Sequence, residues 1–298
     1  MASLARGLLV ASLGLAAASL AVPAGAVLVD GSDGNTTPPP VGAGGANIGV
    51  CGGLTAIYLG NRWVLTAWHV PSGAVSLNGV AYGAVAGSDV ALSSGALGPA
   101  DLKLFRIAGD PGLPYLVIAS QTPAPGSTLV LSGNGRDRAQ PLTWKGFSGW
   151  SWAATSHLRW GTNAVQFTGL SVPLSGGTTT WAFASDFSAP GAATPDEAQA
   201  TTGDSGGAVF SPTAEGWALA GVVIAISPYV GQPANTSLHG NFTYIADLSR
   251  YREQIYATTG LPAGPPLSAC GLLGIEAALP VGMALLRKRW PKTRRPRA

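Results

Sequence analysis

Apolar residues in this chain fall in short runs punctuated by glycine, proline, asparagine and serine, and little of the sequence holds the three- and four-residue spacing of a helix. Strand-like runs occupy residues 54–58, 63–67, 102–107, 115–119, 128–131, 164–167, 179–184, 208–210 and 217–226. Between the first two, Leu59-Gly60-Asn61-Arg62 is a hairpin signal. Only residues 245–256 read as a helix, with Ile245, Leu248, Tyr251, Arg252 and Ile255 spaced three and four apart. Many short strands joined by Gly/Pro turns predict an all-β sandwich or barrel. Residues 29–46 lack periodicity and read as an extended arm, Leu261-Pro262-Ala263-Gly264-Pro265-Pro266 reads as a stiff linker, and no internal repeat is present.

Composition supports this picture. Charged residues are only 10% of the 298, against roughly 25% in typical globular proteins. The 42 glycines and 23 prolines supply turns, and their share stays below the roughly 25–30% that marks disordered chains. The formal charge of +3 misleads about the folded part. Seven of the 17 basic residues lie in the last twelve positions and Arg6 lies near the start, leaving nine basic against thirteen acidic residues between 27 and 267. That stretch is net negative, so no nucleic-acid footprint is expected on it. Trp144, Trp150, Trp152 and Trp160 crowd one Gly/Ser/Thr-rich region, where aromatic residues fill cores or cover long loops more often than they form a carbohydrate platform.

The two ends read as addresses. Arg6, an apolar run from Leu8 to about Val22 and then Ala24-Gly25-Ala26 fit a secretory signal, so residues 1–26 are expected to be removed and Val27 to become the mature N-terminus. At the other end a linker over 259–269 leads to Cys270, an apolar stretch to Leu286 and a basic tail, the 270–298 segment. Its apolar length is near the lower limit of about 17 residues for a transmembrane helix. The positive-inside rule puts the tail in the cytoplasm and the preceding domain outside. The expected location is therefore secreted or cell-surface, with possible membrane attachment through this segment.

Candidate chemistry centres on Gly203-Asp204-Ser205-Gly206-Gly207, with Leu65-Thr66-Ala67-Trp68-His69-Val70 far upstream and Asp101-Leu102-Lys103-Leu104-Phe105 between. A serine hydroxyl becomes a useful nucleophile when an imidazole takes its proton and a carboxylate fixes that imidazole's tautomer. The order His, Asp, Ser separates this chain from scaffolds that run Asp, His, Ser or Ser, Asp, His. The pentapeptide also satisfies a Gly-x-Ser-x-Gly elbow, but that reading needs a downstream acid and histidine, and only Glu215 lies between Ser205 and His239. His157 and His239 lack any matching context. For the acid, Asp89 in Ser88-Asp89-Val90-Ala91-Leu92 competes with Asp101, which is preferred for the longer strand-like run after it.

On these motifs the chain resembles the trypsin-like (chymotrypsin-fold) serine proteases. Val50-Cys51-Gly52-Gly53-Leu54 and Arg62-Trp63-Val64-Leu65-Thr66-Ala67 are similar to the strands leading to the family's histidine, and Gly133-Asn134-Gly135 sits where a Gly-Trp-Gly-like turn opens the second barrel. Near the end, Phe242-Thr243-Tyr244-Ile245 resembles the approach to the terminal helix, so the likeness spans residues 27–258. It implies two six-stranded antiparallel β-barrels with a C-terminal helix. It also implies a triad of His69, Asp101 and Ser205, an oxyanion hole from the amides of Gly203 and Ser205, and an activating ion pair between Asp204 and the amine of Val27. The specificity pocket would have Gln199 at its base and Ala225 and Ile226 in its wall, favouring small or medium uncharged side chains. Val70 occupies the place of a common partner for the cysteine before the histidine, so Cys51 is expected to have no partner within the domain. Trp68 replaces a usually small residue and is expected to find room behind the site.

The C-terminal segment resembles the three-part sorting signals of bacterial surface proteins: short motif, hydrophobic stretch, basic end. The function implied is that of a secreted or surface-sorted serine endopeptidase acting on protein or peptide substrates. A membrane sorting enzyme would be a possible partner, and no metal, cofactor or nucleic acid is implied. The competing class is a catalytically silent relative serving adhesion or ligand binding.

Overall fold

In the computed structural model, residues 27–31, 35, 36, 39, 40, 42 and 44–264 are described. The predicted leader at 1–26 and the 270–298 segment lie outside the described residues. In the first half, β-branched and aromatic runs form β1 (Leu28–Val29), β2 (Ile48–Cys51), β3 (Leu54–Gly60), β4 (Trp63–Thr66), β5 (Val75–Leu77), β6 (Val80–Tyr82), β7 (Val90–Ser93) and β8 (Pro99–Arg106). The second half comprises β9 (Thr128–Gly133), β10 (Arg136–Trp144), β11 (Phe147–Ser156), β12 (Arg159–Ala164), β13 (Phe167–Leu174) and β14 (Thr178–Asp186). It continues with β15 (Ala198–Gln199), β16 (Ala208–Thr213), β17 (Gly216–Ser227), β18 (Thr236–Leu238), β19 (Phe242–Asp247) and one α-helix, α1 (Arg252–Thr259).

The first sheet runs β6-β5-β2-β3-β4-β8-β7, with every pairing antiparallel. The chain leaving β6 meets the end of β8 through an Ala84–Ile107 bridge, with Val85 N–H donating to Arg106 O and Ala108 N–H to Gly83 O, both at 2.8 Å. That contact closes six strands into a barrel and leaves β7 as an addition on β8. The second sheet runs β12-β9-β16-β17-β19-β14-β13. Here β12 continues almost directly into β13, so one stretch of chain pairs with β9 at its start and β14 at its end. A second six-stranded barrel is the result. A smaller sheet, β10-β11-β18, and a two-stranded pairing of β1 with β15 complete the architecture. The expected all-β, two-barrel fold with a C-terminal helix is what the chain adopts.

Alternation along the strands explains why their runs are nearly continuous in apolar residues. In the first barrel Ala56, Tyr58, Val64 and Phe105 form one cluster, and in the second Leu131, Phe183, Val209, Val223 and Ile245 form another. The intervening residues, among them Ile57, Leu65, Leu104, Val130, Phe210 and Val222, meet in a third cluster that draws on both barrels and on α1. Burial on both faces leaves no polar alternation to mark these strands.

Three expectations need correction. Residues 115–119 form only an isolated parallel bridge, Ile118 to Leu219, because this connector is shared: Leu116 N–H bonds Leu59 O while Leu219 N–H bonds Val117 O. The helix expected at 245–256 starts later, since Ile245 and Ala246 belong to β19. Asp247 then caps a short 3₁₀ turn by accepting from Ser249 N–H at 3.1 Å before α1 begins. The strand expected at 164–167 is a junction: Ala164 ends β12, Phe167 begins β13 and residues 165–166 belong to neither, while the β10–β11 hairpin over 136–156 forms where no strand-like run announced it. No helix among the described residues is long and apolar enough to cross a membrane.

Candidate active site

The β4–β8 register brings the first two groups together. Thr66 stands opposite Lys103, so continuing the ladder past the end of β4 carries the chain toward Asp101. A turn closed by Val70 N–H to Ala67 O at 3.1 Å then folds His69 back over that carboxylate. His69 Nδ1 donates to Asp101 Oδ2 at 2.8 Å and His69 N–H donates to Oδ1 at 3.1 Å. Asp101 is 2% exposed, whereas the His69 side chain is 42% exposed. One ring nitrogen is thus fixed by a buried carboxylate, and the other, Nε2, is available to accept a proton. Asp101 is itself placed by its N–H bond to Thr180 Oγ1 at 2.8 Å. Asp89 takes no part, accepting instead from Ser72 Oγ at 2.8 Å on the surface.

Ser205 lies in the turn between β15 and β16, and both barrels hold that turn. Ser205 O accepts from Thr55 N–H at 3.0 Å, Gly203 O accepts from Thr55 Oγ1 at 3.0 Å, and Gly206 N–H donates to Val223 O at 2.9 Å. Thr55 O in turn accepts from Thr66 Oγ1 at 2.8 Å, three residues before His69. The serine turn therefore packs on the strand pair that carries the histidine. Two glycines make this approach possible. Gly206 has φ +85° and a Cβ there would collide with Thr55 O and Thr66 Oγ1, while at Gly203, φ +108°, a Cβ would fall 2.6 Å from Asn134 O. Among the described residues, the N–H groups of Gly203 and Ser205 and the Ser205 hydroxyl make no hydrogen bond.

Asp204 points the opposite way from its neighbour, into the protein, and is fully buried. Its carboxylate accepts from Gly135 N–H and Thr201 N–H, each at 2.8 Å, from Thr201 Oγ1 at 3.2 Å and from Val27 N–H at 3.4 Å. Desolvation by burial outweighs these donors and pushes its pKa up to about 6. Val27 is buried and holds φ +41°, an unusual value for a β-branched residue inside a chain. Beyond it, Leu28 pairs with Gln199 and Val29 with Ala198, while Asp30 accepts from Trp150 Nε1 at 2.7 Å and from His239 Nε2 at 3.2 Å. The segment that starts at Val27 is thus packed along the strand leading into the serine turn.

The residues assigned to the pocket lie on β15 and β17. Gln199 is buried, and its amide group donates to Phe242 O at 3.4 Å and accepts from Thr243 Oγ1 at 3.2 Å. Ala225 and Ile226 stand opposite Tyr244 and Thr243 and are partly exposed. Trp68 does not retreat behind the site: it is 44% exposed, with Lys103 Nζ 5.4 Å from its ring centre. The buried Lys103 beneath leaves it no interior space. Cys51 forms no disulfide among the described residues, donates from Sγ to Pro71 O at 3.3 Å, and has its pKa raised by burial. Thr55, Thr180 and Thr201 are the contributors that motif reading missed. Their hydroxyls do the positioning, and an isolated threonine carries no sequence signature for that role.

No family model matches the chain, and no curated protein does. Solved structures do resemble it. Mouse neuropsin, a serine protease, is 17% identical over 76% of this chain and 97% of its own, with a TM-score of 0.48. The active form of the Rv3671c protease of M. tuberculosis is 17% identical over 76% and 88%, with a TM-score of 0.47. The HtrA-type protease AlgW is 18% identical over 70% and 51%, with a TM-score of 0.43.

Proposed function

We propose that this chain is an exported serine endopeptidase that hydrolyses peptide bonds through Ser205, His69 and Asp101. The observation that carries the reading is the buried Asp101 holding His69 by both its backbone and its Nδ1, together with a serine turn anchored on Thr55, whose carbonyl accepts from Thr66 on the strand leading to His69. Asp137 holds the half-exposed His157 by Nδ1 at 2.9 Å in the same way, so the pairing alone does not mark a site; what sets His69 apart is its second bond to Asp101, through the backbone, and the serine turn packed on the strands that lead to it.

In this mechanism Ser205 Oγ attacks the substrate carbonyl as His69 Nε2 takes its proton, while Asp101 stabilises the imidazolium. The carbonyl oxygen becomes an oxyanion, for which the unpaired N–H groups of Gly203 and Ser205 are the available donors. His69 then protonates the leaving amine, and water, deprotonated by the same nitrogen, releases the acyl group from Ser205. Removal of residues 1–26 would turn Val27 N into an ammonium group beside Asp204, so that export itself completes the site. The 270–298 segment would tether or sort the protein at the cell surface.

The test is labelling with a fluorophosphonate probe. Stoichiometric labelling that disappears in Ser205→Ala and falls steeply in His69→Ala supports the hydrolase. A folded chain starting at Val27 that never labels points to the silent, ligand-binding alternative.

A further inference from the structure

A trough of about 430 Å³ opens on the second barrel, lined chiefly by Phe167, Leu170 and Val172 of β13 and by Phe242 and Tyr244 of β19. Phe167 is 47% exposed and stacks at a tilt on Phe242, 5.6 Å between ring centres, so two aromatic rings form one lip. A large apolar side chain kept this open to water has an energetic reason to be covered during function.

Strand register connects the trough to the catalytic groups on two sides. Val172 stands opposite Thr180, whose hydroxyl accepts from Asp101 N–H. On the other side Gly206 N–H fixes the serine turn at Val223 O; two residues further along β17, Ala225 faces Tyr244, and two further still Ser227 faces Phe242. At about 3.3 Å per strand residue Ala225 and Ser227 lie roughly 7 and 13 Å along β17 from the serine anchor, somewhat less for the bulge between Val223 and Ala225, and the two aromatics stand one strand spacing, about 4.8 Å, to the side. An extended peptide rises by the same amount, so those distances correspond to about two to four residues from the scissile bond.

Resting on the endopeptidase reading, we infer that this trough is the substrate-selecting subsite and that it takes an aromatic or branched apolar side chain two to four residues from the bond that is cut. The lining offers hydrocarbon and ring faces, with Ser171 the one hydroxyl outside Tyr244 and no charged group. A charged side chain there would lose hydration without gaining a partner. The selecting surface is thus the β13 edge.

The experiment uses the full chain carrying Ser205→Ala and a set of N-acetylated hexapeptide amides, alanine throughout except for one scanned position bearing Phe, Leu or Asp. Calorimetry should show Phe or Leu binding at least tenfold tighter than Asp at one position only. That preference should vanish in Phe167→Asp and survive in Phe167→Leu, with both variants unfolding at the temperature of the parent. Equal binding of the three peptides, or an unchanged preference in Phe167→Asp, would overturn the inference. So would a chain dimer that dissociates on Phe167→Asp while the peptides go undiscriminated. Fluorophosphonate labelling of the unmutated chain reads the nucleophile separately: discrimination without labelling sinks the hydrolase and leaves the subsite, whereas labelling without discrimination does the reverse.

Discussion

The most quantitative consequence concerns Asp204 and the bond before Val27. In the continuous chain the carboxylate is fully buried with a neutral Val27 amide at 3.4 Å, and burial raises its pKa from 3.8 to about 6. At 1.36 kcal/mol per unit, keeping it ionised at neutral pH costs roughly 3 kcal/mol. The folded form binds the proton more tightly than the unfolded chain does. The contribution is therefore harmless below about pH 3.8, and stability is lost as pH rises through about 6. Hydrolysis of the 26–27 bond changes both terms. It places a full positive charge beside the carboxylate, and it removes the preceding carbonyl that makes φ +41° unfavourable at Val27. Borne entirely by the serine turn, roughly 3 kcal/mol sets an upper bound of about two orders of magnitude on the change in its ordered population. A chain beginning at Val27 should accordingly label with fluorophosphonate faster at pH 7, by up to about 100-fold, than one beginning at Ala26 or one acetylated at Val27. Its melting temperature should also stay level between pH 4 and 7, where the longer chain declines. Equal labelling rates and superimposable pH–stability curves would refute the reasoning.

Other outcomes follow from the same contacts. Asp101→Asn should lower kcat by about four orders of magnitude, because the amide favours the wrong imidazole tautomer. Asp89→Asn, which disturbs only the surface bond to Ser72, should change kcat less than a few-fold, and steady-state kinetics separates the two. Thr55→Val keeps the strand but leaves Gly203 O and Asn134 N–H without their hydroxyl partner. Unfolding in urea should show a loss of about 1–3 kcal/mol, accompanied by a fall in kcat with KM little changed. Trp150→Phe retains the ring but strips one donor from Asp30, a hydrogen bond to a charged group worth about 1.5–3 kcal/mol, and should raise the susceptibility of the Val27 segment to aminopeptidase digestion.

The legible and illegible parts of this chain differ for physical reasons. The serine turn could be read because its glycines are obligatory: two of them sit at positive φ against backbone atoms, and chemistry that depends on such approach leaves a contiguous motif. His69 and Asp101 could be read because a histidine after an apolar strand and an acid before one gain meaning from that motif. The β10–β11 hairpin could not, since its strands are half exposed and carry Arg, Gln, Ser and Thr without apolar alternation. Its partner strand β18 lies some eighty residues later, a pairing that no local pattern announces. The pocket residues meet the same limit. The resemblance implies a place for Gln199, but where its amide points is decided by Phe242 and Thr243 on a distant strand.

These long-range dependences converge on one turn. Thr55 comes from the first barrel, Gly135 from the entry to the second, and Val27 from the start of the described chain. The three meet around three consecutive residues, 203–205, through bonds to Gly203 O, Ser205 O and the Asp204 carboxylate. The two amides that serve the oxyanion in the proposed mechanism belong to that same turn, so their direction is set by how the barrels and the N-terminal segment dock rather than by the turn's own sequence. A Gly-Asp-Ser-Gly-Gly peptide grafted elsewhere would reproduce the residues without the geometry, because preorganised donors stabilise a transition state only when something else already holds them in place. Loosening of the barrel interface should thus lower kcat before it unfolds the protein, and cavity-forming substitutions in the shared cluster, such as Phe210→Ala, are where that separation would first be measured.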